Sequence, residues 1–511
     1  MKQITPFSIS APGFFGLNQS DSPSDLSPNY ALQADNCIID RSGRIASRKG
    51  WTAEHTTNAD LGTANITCIA ELIQNDGTAT TLVTGNGCLF KHSGTTLTKL
   101  TYGGGGVAPT ISANNWMFTQ LNGVGIFWQR GYDPLIYDPA VSTTTFRRLS
   151  ERSGYLGTVL LANVAISEFG RVWCADTSSD KNTVKFSDLI APHVWTGGTS
   201  GSIDLKNVWT GGDEVVAFAA HNKQLFIFGR KQILIYDGAD DPTTMALSDK
   251  VVGIGCIARD SVQTTGDDVW FLSDTGVRSL SRTIQEKSAP IRQISKNIHD
   301  ELQQYIDLSD ISSIKSGFSA VNSIYLLSIP QGQITYCFDT RGVLDSGAAK
   351  VTTWSCVYYA YCETKSRSFY LGKPGYLGKY SGYSDNGSSY RMSYYTTWID
   401  FGNPVQTSIL KKLLTTVICS TNQTIIFKWA YDFQNDYFSD TVTVTGGPTY
   451  AEYGTAEYGT AEYTSSAQSI NVIPVNGRGS GQVLKFGIEV QSDLSSVSIQ
   501  KISIYTKDGR I

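Results

Sequence analysis

The sequence predicts an all-β protein: a β-propeller of six or seven blades, a C-terminal β-sandwich-like domain, and an extended N-terminal arm. Three observations carry this. The 511 residues include 49 Gly, 26 Tyr and 21 Phe but only 17% charged residues, a mix that suits large sheets joined by tight turns. Pairs of short β-rich runs separated by polar or Gly-containing turns recur along the chain. The central residues of the first run in each pair are Val83, Phe127, Trp173, Phe226, Phe271, Tyr325 and Tyr370, and they step by 44, 46, 53, 45, 54 and 45 residues. A four-stranded propeller blade takes about 40–50 residues. A sheet that small buries its faces only against neighbours, and radial stacking supplies them.

Residues 1–52 read as an arm and a first hairpin. Pro6, Pro12, Gly13, Gly16, Pro23 and Pro28 interrupt any long element. Ser27-Pro28 predicts the start of a short helix through about Asp35, because Pro is tolerated at the first helical position. A hairpin follows, Cys37–Ile39 and Arg44–Arg48 across Asp40-Arg-Ser-Gly43. Residues 53–395 read as the propeller. The clearest unit is Asn222–Asp237, where Leu225–Phe228 and Ile233–Tyr236 flank Gly229-Arg-Lys-Gln232. Its companions include Thr80–Thr84 with Cys88–Lys91, Val124–Gln129 with Leu135–Asp138, and Arg171–Ala175 with Thr183–Phe186. The later ones are Asp268–Leu272 with Val277–Leu280, Ser323–Ile329 with Gln333–Asp339, and Ser368–Leu371 with Gly375–Tyr380.

One helix is predicted inside the propeller, over Ser295–Ile306. It has Ile298, Leu302, Tyr305 and Ile306 on one face and Ser295 as its N-cap. It plugs an apolar patch between blades or meets a neighbouring subunit. Residues 396–511 read as the sandwich, from strand-like runs at Lys411–Cys419, Thr424–Ala430, Thr441–Thr445, Ser469–Ile473, Gln482–Val490 and Val497–Thr506. Within them Ala451–Tyr463 repeats Ala-Glu-Tyr-Gly-Thr with a period of five. That is an expanded loop or a contact surface, since Tyr suits a site with one apolar and one wet side.

Composition argues against several function classes. A net charge of −4 without a basic stripe does not fit a nucleic-acid reader. No apolar run reaches the roughly 20 residues of a membrane span, and the opening residues lack an apolar signal-peptide region. Nine dispersed Cys without a Cys-x-x-Cys pair read as free thiols rather than a disulfide frame or a zinc site. The five His have no metal-ligand spacing. There is no Gly-x-Ser-x-Gly elbow and no Walker-type motif, and Gly103–Gly106 lacks the Lys of a phosphate cradle. Asp267-Asp268 and Asp240-Asp241 are adjacent pairs, whose members point opposite ways on a strand. Ser273-Asp-Thr-Gly276 resembles part of a sialidase Asp box but lacks the Thr-Trp that should follow, which makes it a turn. The expectation is a protein that is not an enzyme, with no cofactor and no metal.

The ordered set Gly16-Leu-Asn18, Pro23, Leu26-Ser-Pro28, Ala34-Asp-Asn36, Asp40, Gly43 and Arg48-Lys-Gly50 resembles the opening of tail structural proteins of short-tailed bacteriophages. Tail nozzle proteins, also called tail tubular protein B, are the nearest match, with propeller-shaped tail plugs more distant. Gly477-Arg-Gly-Ser-Gly481, Leu484–Val490 and Ser496–Thr506 resemble their C-terminal end. The resemblance covers 1–51 and 397–511, and reaches the propeller only through its period. It implies a virion tail protein, assembled in the host cytoplasm as a homohexameric nozzle ring around the DNA exit channel, which gates or conducts genome ejection. It further implies an adaptor ring, tail fibre or needle proteins and the host outer membrane as partners, with double-stranded DNA passing unbound. A conduit must not hold the polymer it passes, and 41 basic against 45 acidic residues fits a wall without phosphate-binding clusters. Interface or channel candidates are Gly229, Arg230, Lys231 and Gln232, with Glu452, Tyr453, Glu457, Tyr458, Glu462 and Tyr463. The alternatives are a DNA-stabilising plug or connector and a host-surface-binding or glycan-cleaving propeller, for which Asp268 and Asp274 would be the residues to change.

Overall fold

A computed structural model describes residues 4–111, 115–266, 268–285, 293–401, 407–446, 469–493 and 495–509. Seven β-sheets follow one another around an axis. Among the described residues six contain four antiparallel blade strands; the second adds Thr101–Tyr102, parallel to its neighbour, and the sixth continues into a larger sheet. The fifth blade in chain order has three, Gln263–Thr264, Val269–Ser273 and Gly276–Ser279, after which the chain enters the short helix Leu280–Gln285. The innermost strands are Ile66–Ile73, Met117–Leu121, Ala162–Glu168, Ala217–His221, Gln263–Thr264, Lys315–Ser319 and Tyr361–Glu363, and each lies beside the next around a closed ring. The last blade takes its outermost strand from the other end of the chain: Trp51–Ala53 pairs antiparallel with Tyr376–Tyr380. This closure ties the two ends of the repeat together.

All seven residues that defined the sequence period lie in second strands of blades. The recurring hairpins are therefore strands two and three. Those strands are the most buried, and the runs Leu225–Phe228 and Ile233–Tyr236 are buried throughout. Seven hydrophobic clusters fill the space between neighbouring sheets. Phe228, for example, meets Phe271 of the next blade with ring centroids 5.0 Å apart.

The C-terminal region is a two-layer sandwich. One sheet contains Ser469–Asn476, Ser408–Cys419 and Val497–Asp508. The other contains Tyr390–Thr396, Val483–Ser492, Gln423–Tyr431 and Phe438–Val444. Leu413, Val417, Phe427, Trp429, Phe486 and Ile502 are buried between them. The arm belongs to this unit. Ile4–Ser10 pairs antiparallel with Val497–Asp508, and Ile45–Ser47 joins the same strand further along. Tyr30–Asp35 lies between Tyr390–Thr396 and the sixth blade, which fuses propeller and sandwich sheet into one surface.

Two sequence expectations need correction. Tyr30–Asp35 is a strand, not the end of a helix. Its burial at Ala31 and Ala34, together with backbone pairing on both sides, outweighs the weak helical signal of Ser27-Pro28. Ser295 holds the N-cap position of the 3-10 turn Lys296–Ile298 that leads into the helix, but its side chain makes no capping bond, because its Oγ accepts from the Val277 backbone N–H at 3.0 Å. The helix His299–Leu308 begins after a single 3-10 turn. Ile298, Leu302 and Ile306 are nevertheless buried together, packed with blade and sandwich side chains.

Candidate functional site: the axial cavity of the propeller

Because every inner strand runs the same way, their starting ends surround one end of the axis and their finishing ends the other. Between them lies a cavity of about 1080 Å³. At the starting end Arg259, just before the fifth inner strand, reaches across the axis. Its guanidinium donates to the Asn163 backbone carbonyl at 2.7 Å and Oδ1 at 2.8 Å, and to Oδ1 of Asn115 at 2.8 Å. It also donates Nε–H to Asp260 at 2.8 Å. Lys315, at the start of the sixth inner strand, donates to Asp260 and to Asn115. Residues entering blades two and three are thus tied to residues entering blades five and six, and this knot closes the axis.

The knot is electrostatically self-consistent. Burial would raise the Asp260 pKa, but Arg259 and Lys315 outweigh it and hold the carboxyl down to about 2. Burial pushes the Lys315 ammonium below its ordinary value, opposed by the adjacent Asp260. A buried charge of either sign needs its partner and hydrogen bonds, and here both are present.

The other end of the cavity is open and charged. Arg41, at the tip of the first hairpin, donates to the Val321 carbonyl at 2.8 Å. Glu363, ending the seventh inner strand, accepts from Ala320 N–H at 2.8 Å and Val321 N–H at 3.3 Å. Glu71 of the first inner strand accepts from Lys365 N–H at 2.6 Å. Arg41, Lys365 and Arg367 are exposed side chains lining this mouth. Met117 and Phe118, both half-buried, open the second inner strand and line the cavity at the knot end.

The predicted site residues lie elsewhere. Gly229–Gln232 joins strands two and three of the fourth blade, away from the axis. Asp213 accepts from the backbone N–H of Arg230 at 2.8 Å and of Lys231 at 2.9 Å. Gln232 is buried and exchanges two hydrogen bonds with the Thr210 backbone, at 2.8 and 2.9 Å. Arg230 and Lys231 are exposed, and the Arg230 guanidinium pairs with Glu214 at 3.7 Å. Glu452, Tyr453, Glu457, Tyr458, Glu462 and Tyr463 lie outside the described residues, as does Asp267.

Asp268 accepts from the backbone N–H of Ser281 at 3.0 Å and from the Ser279 hydroxyl, which anchors the helix Leu280–Gln285. Ser273–Gly276 is a closed hairpin turn, with Gly276 at φ 118° and the Ser273 hydroxyl donating to the Gly276 carbonyl at 2.8 Å. Asp241 accepts from Thr243 N–H at 3.0 Å within its own turn. All nine Cys are free thiols. Among the described residues no group of His, Cys, Asp and Glu could hold a metal ion, and no helix is long and apolar enough to cross a membrane. The sequence reading missed the knot. Its one local trace is Arg259-Asp260, a charged pair set just after the apolar run Gly253–Ala258.

No protein-family profile matches the chain, and no curated protein matches it. Several solved structures are similar to it at low identity. The extracellular domain of the BT4673 one component system of B. thetaiotaomicron is 11% identical, with a TM-score of 0.39 over 79% of this chain. This chain spans 49% of that protein, about half its length. The WD40 β-propeller domain of Doa1 is 10% identical, with a TM-score of 0.38 over 65% of this chain and 96% of that one. The WD40 domain of Neurospora crassa Pan2 is 11% identical, with a TM-score of 0.35 over 67% and 98% of the two chains.

Proposed function

We propose that this chain is a structural protein of a short-tailed phage tail, a nozzle-type subunit that assembles with further copies, as a hexamer, around the DNA exit channel. The observation that carries the reading is the joining of the two stretches on which the resemblance rests. Ile4–Ser10 and Ile45–Ser47 both pair with Val497–Asp508, so residues near the two ends of the chain build one module. A resemblance confined to both chain ends is what such a shared module would leave.

The size of the axis supports a conduit formed between subunits. Spread over the roughly 20 Å length of the longer inner strands at about 3.3 Å per residue, a volume of about 1080 Å³ corresponds to a bore about 8 Å across. The major groove of duplex DNA alone is about 12 Å wide, and the Arg259 knot blocks the bore. DNA would pass through a hole surrounded by several copies, not through one propeller. Among the described residues Ser469–Asn476 is an edge strand of its sheet, which supports assembly. It turns Ile470 (70% exposed) and Val472 (55% exposed) outward, a pattern that exposed sheet edges ordinarily avoid. The adaptor ring, the fibre or needle proteins and the host outer membrane are the partners this reading assigns.

Electron microscopy of the purified full chain tests the reading. A ring with a central opening wide enough for duplex DNA is expected, and monomers or a ring without an opening would overturn it. Labelling on intact particles separates a distal nozzle from a proximal plug.

A further inference from the structure

We propose that copies of this chain join head to tail: the outer face of the sandwich sheet containing Ser408–Cys419 on one copy docks on the acidic face of the helix His299–Leu308 on the next. This contact presupposes the self-assembly proposed above and gives it two surfaces. Residues directly opposite each other on paired strands share a sheet face. Thr416 stands between Val472 and Lys501, and Lys412 between Asn476 and Tyr505. Leu413, Val417, Ile473 and Ile502 occupy the other face, buried in the core. The outer face thus carries Ile470 (70% exposed) and Val472 (55% exposed) along one edge, with the exposed Lys412, Lys501 and Lys507 beside them. No Asp or Glu occurs in Ser408–Cys419, in Ser469–Asn476 or at 497–507, and among the described residues the ion-paired lysines lie elsewhere.

The helix presents the complementary surface. Leu302 and Ile306 face inward, and Asp300, Gln304 and Asp307 follow at helical spacing on the opposite, exposed side. Leu308, 70% exposed, lies beside them. The Ser20 hydroxyl donates to the Lys296 carbonyl at 2.8 Å and accepts from His299 N–H at 3.1 Å, which brings the exposed Asp21 to the start of the helix. Here the exposed Asp21, Asp300, Asp307 and Asp310 outnumber the exposed Lys296. A face that carries only cations repels a second copy of itself, so the contact is heterologous, and a heterologous contact whose rotation closes makes a ring. The apolar groups match as well, Leu308 beside Asp307 against Ile470 and Val472 beside the lysines. The three strands, about 4.8 Å apart and about seven paired residues long at about 3.3 Å each, offer a face about 15 Å by 23 Å. A helix of 10 residues is about 15 Å long and about 10 Å wide, which fits that face.

Light scattering of the full chain and of charge-reversed variants tests the proposal. The wild-type assembly is expected to dissociate as salt rises, because exposed charges are screened. Lys412→Glu with Lys501→Glu and, separately, Asp300→Lys with Asp307→Lys are each expected to weaken association about tenfold or more at an unchanged melting temperature, since all four side chains are exposed. The two double variants mixed together place opposite charges at both kinds of contact again and are expected to recover the wild-type mass. If Asp300→Lys unsettles the first helical turn, Asp307→Lys alone gives the same readout, because a cation suits the last turn. A wild-type chain that stays monomeric overturns the self-assembly reading and this contact with it. A wild-type assembly whose mass is unchanged in both variants overturns the contact alone and leaves the sheet face to a different partner. Loss of assembly in both variants without recovery on mixing overturns the pairing of these two surfaces.

Discussion

Arg48 is the most consequential single side chain in the junction between arm, propeller and sandwich. It is fully buried and forms a fork with Asp385, at 2.8 and 2.7 Å. Its Nε–H donates to Asn36 Oδ1 at 2.9 Å, and its guanidinium lies 3.9 Å from the centroid of the Tyr390 ring. Arg48→Met keeps much of the packing volume but strands the Asp385 carboxylate, whereas Asn36 Oδ1 still accepts from Ser355. Removing one partner of a buried ion pair costs about 3–5 kcal/mol. Because Asp385 keeps 22% exposure, water relieves part of the penalty, and about 3 kcal/mol is expected. Urea unfolding followed by the fluorescence of the tryptophans, which include Trp354 beside Arg48, measures this. With a slope of about 3 kcal/mol/M, the midpoint falls by about 1 M. Adding Asp385→Asn removes the unpaired charge and is expected to recover about a third of the loss. A midpoint shift below about 0.3 M, or a double variant no more stable than the single one, would refute the reasoning.

Four further outcomes follow from the same contacts. Asp260 titrates at about 2 when folded against 3.8 ordinarily, so its stabilisation is present above pH 3.8 and fades as pH falls toward 2. The difference is worth about 2 kcal/mol, and acid-unfolding curves should show this component missing in Asp260→Asn. Gln232→Ala should cost about 1–3 kcal/mol by orphaning the Thr210 backbone groups, whereas Arg230→Gln and Lys231→Gln should stay within about 0.5 kcal/mol by thermal unfolding. Burial pushes the Cys174 and Cys256 thiols up to about 12, so a disulfide reagent near pH 8 should modify them only after denaturation, as read by mass spectrometry. Ile470→Lys with Val472→Lys should leave the fold intact and shift the assembly toward monomer in light scattering; an unchanged mass would remove this edge from the interface.

Much of the propeller was legible because its signal is local. The second and third strands are buried on both faces, so they keep Ile, Leu, Val and aromatic side chains at a steady spacing, and their turns keep polar residues and Gly. Inner strands such as Lys315–Ser319 and Tyr361–Glu363 are short, face the cavity and carry no such pattern, which is why the period located hairpins rather than whole blades. The apolar face of the helix at 299–308 was legible for the same local reason. Its cap was not, since the Ser295 hydroxyl answers to Val277 in a different element. Tyr30–Asp35 became a strand through partners more than 300 residues away.

Sequence alone determined the all-β class and the seven-unit period, because strand alternation and turn chemistry are written within a few residues. Only the tertiary structure decided how the ring closes, with Trp51–Ala53 completing the last blade, and how the two chain ends interleave. It also decided the axial knot. Asn115 and Lys315 are 200 residues apart, and Arg259, Asp260 and Asn163 look unremarked in sequence. Charges of that kind acquire a role only when the closed ring brings them together away from water.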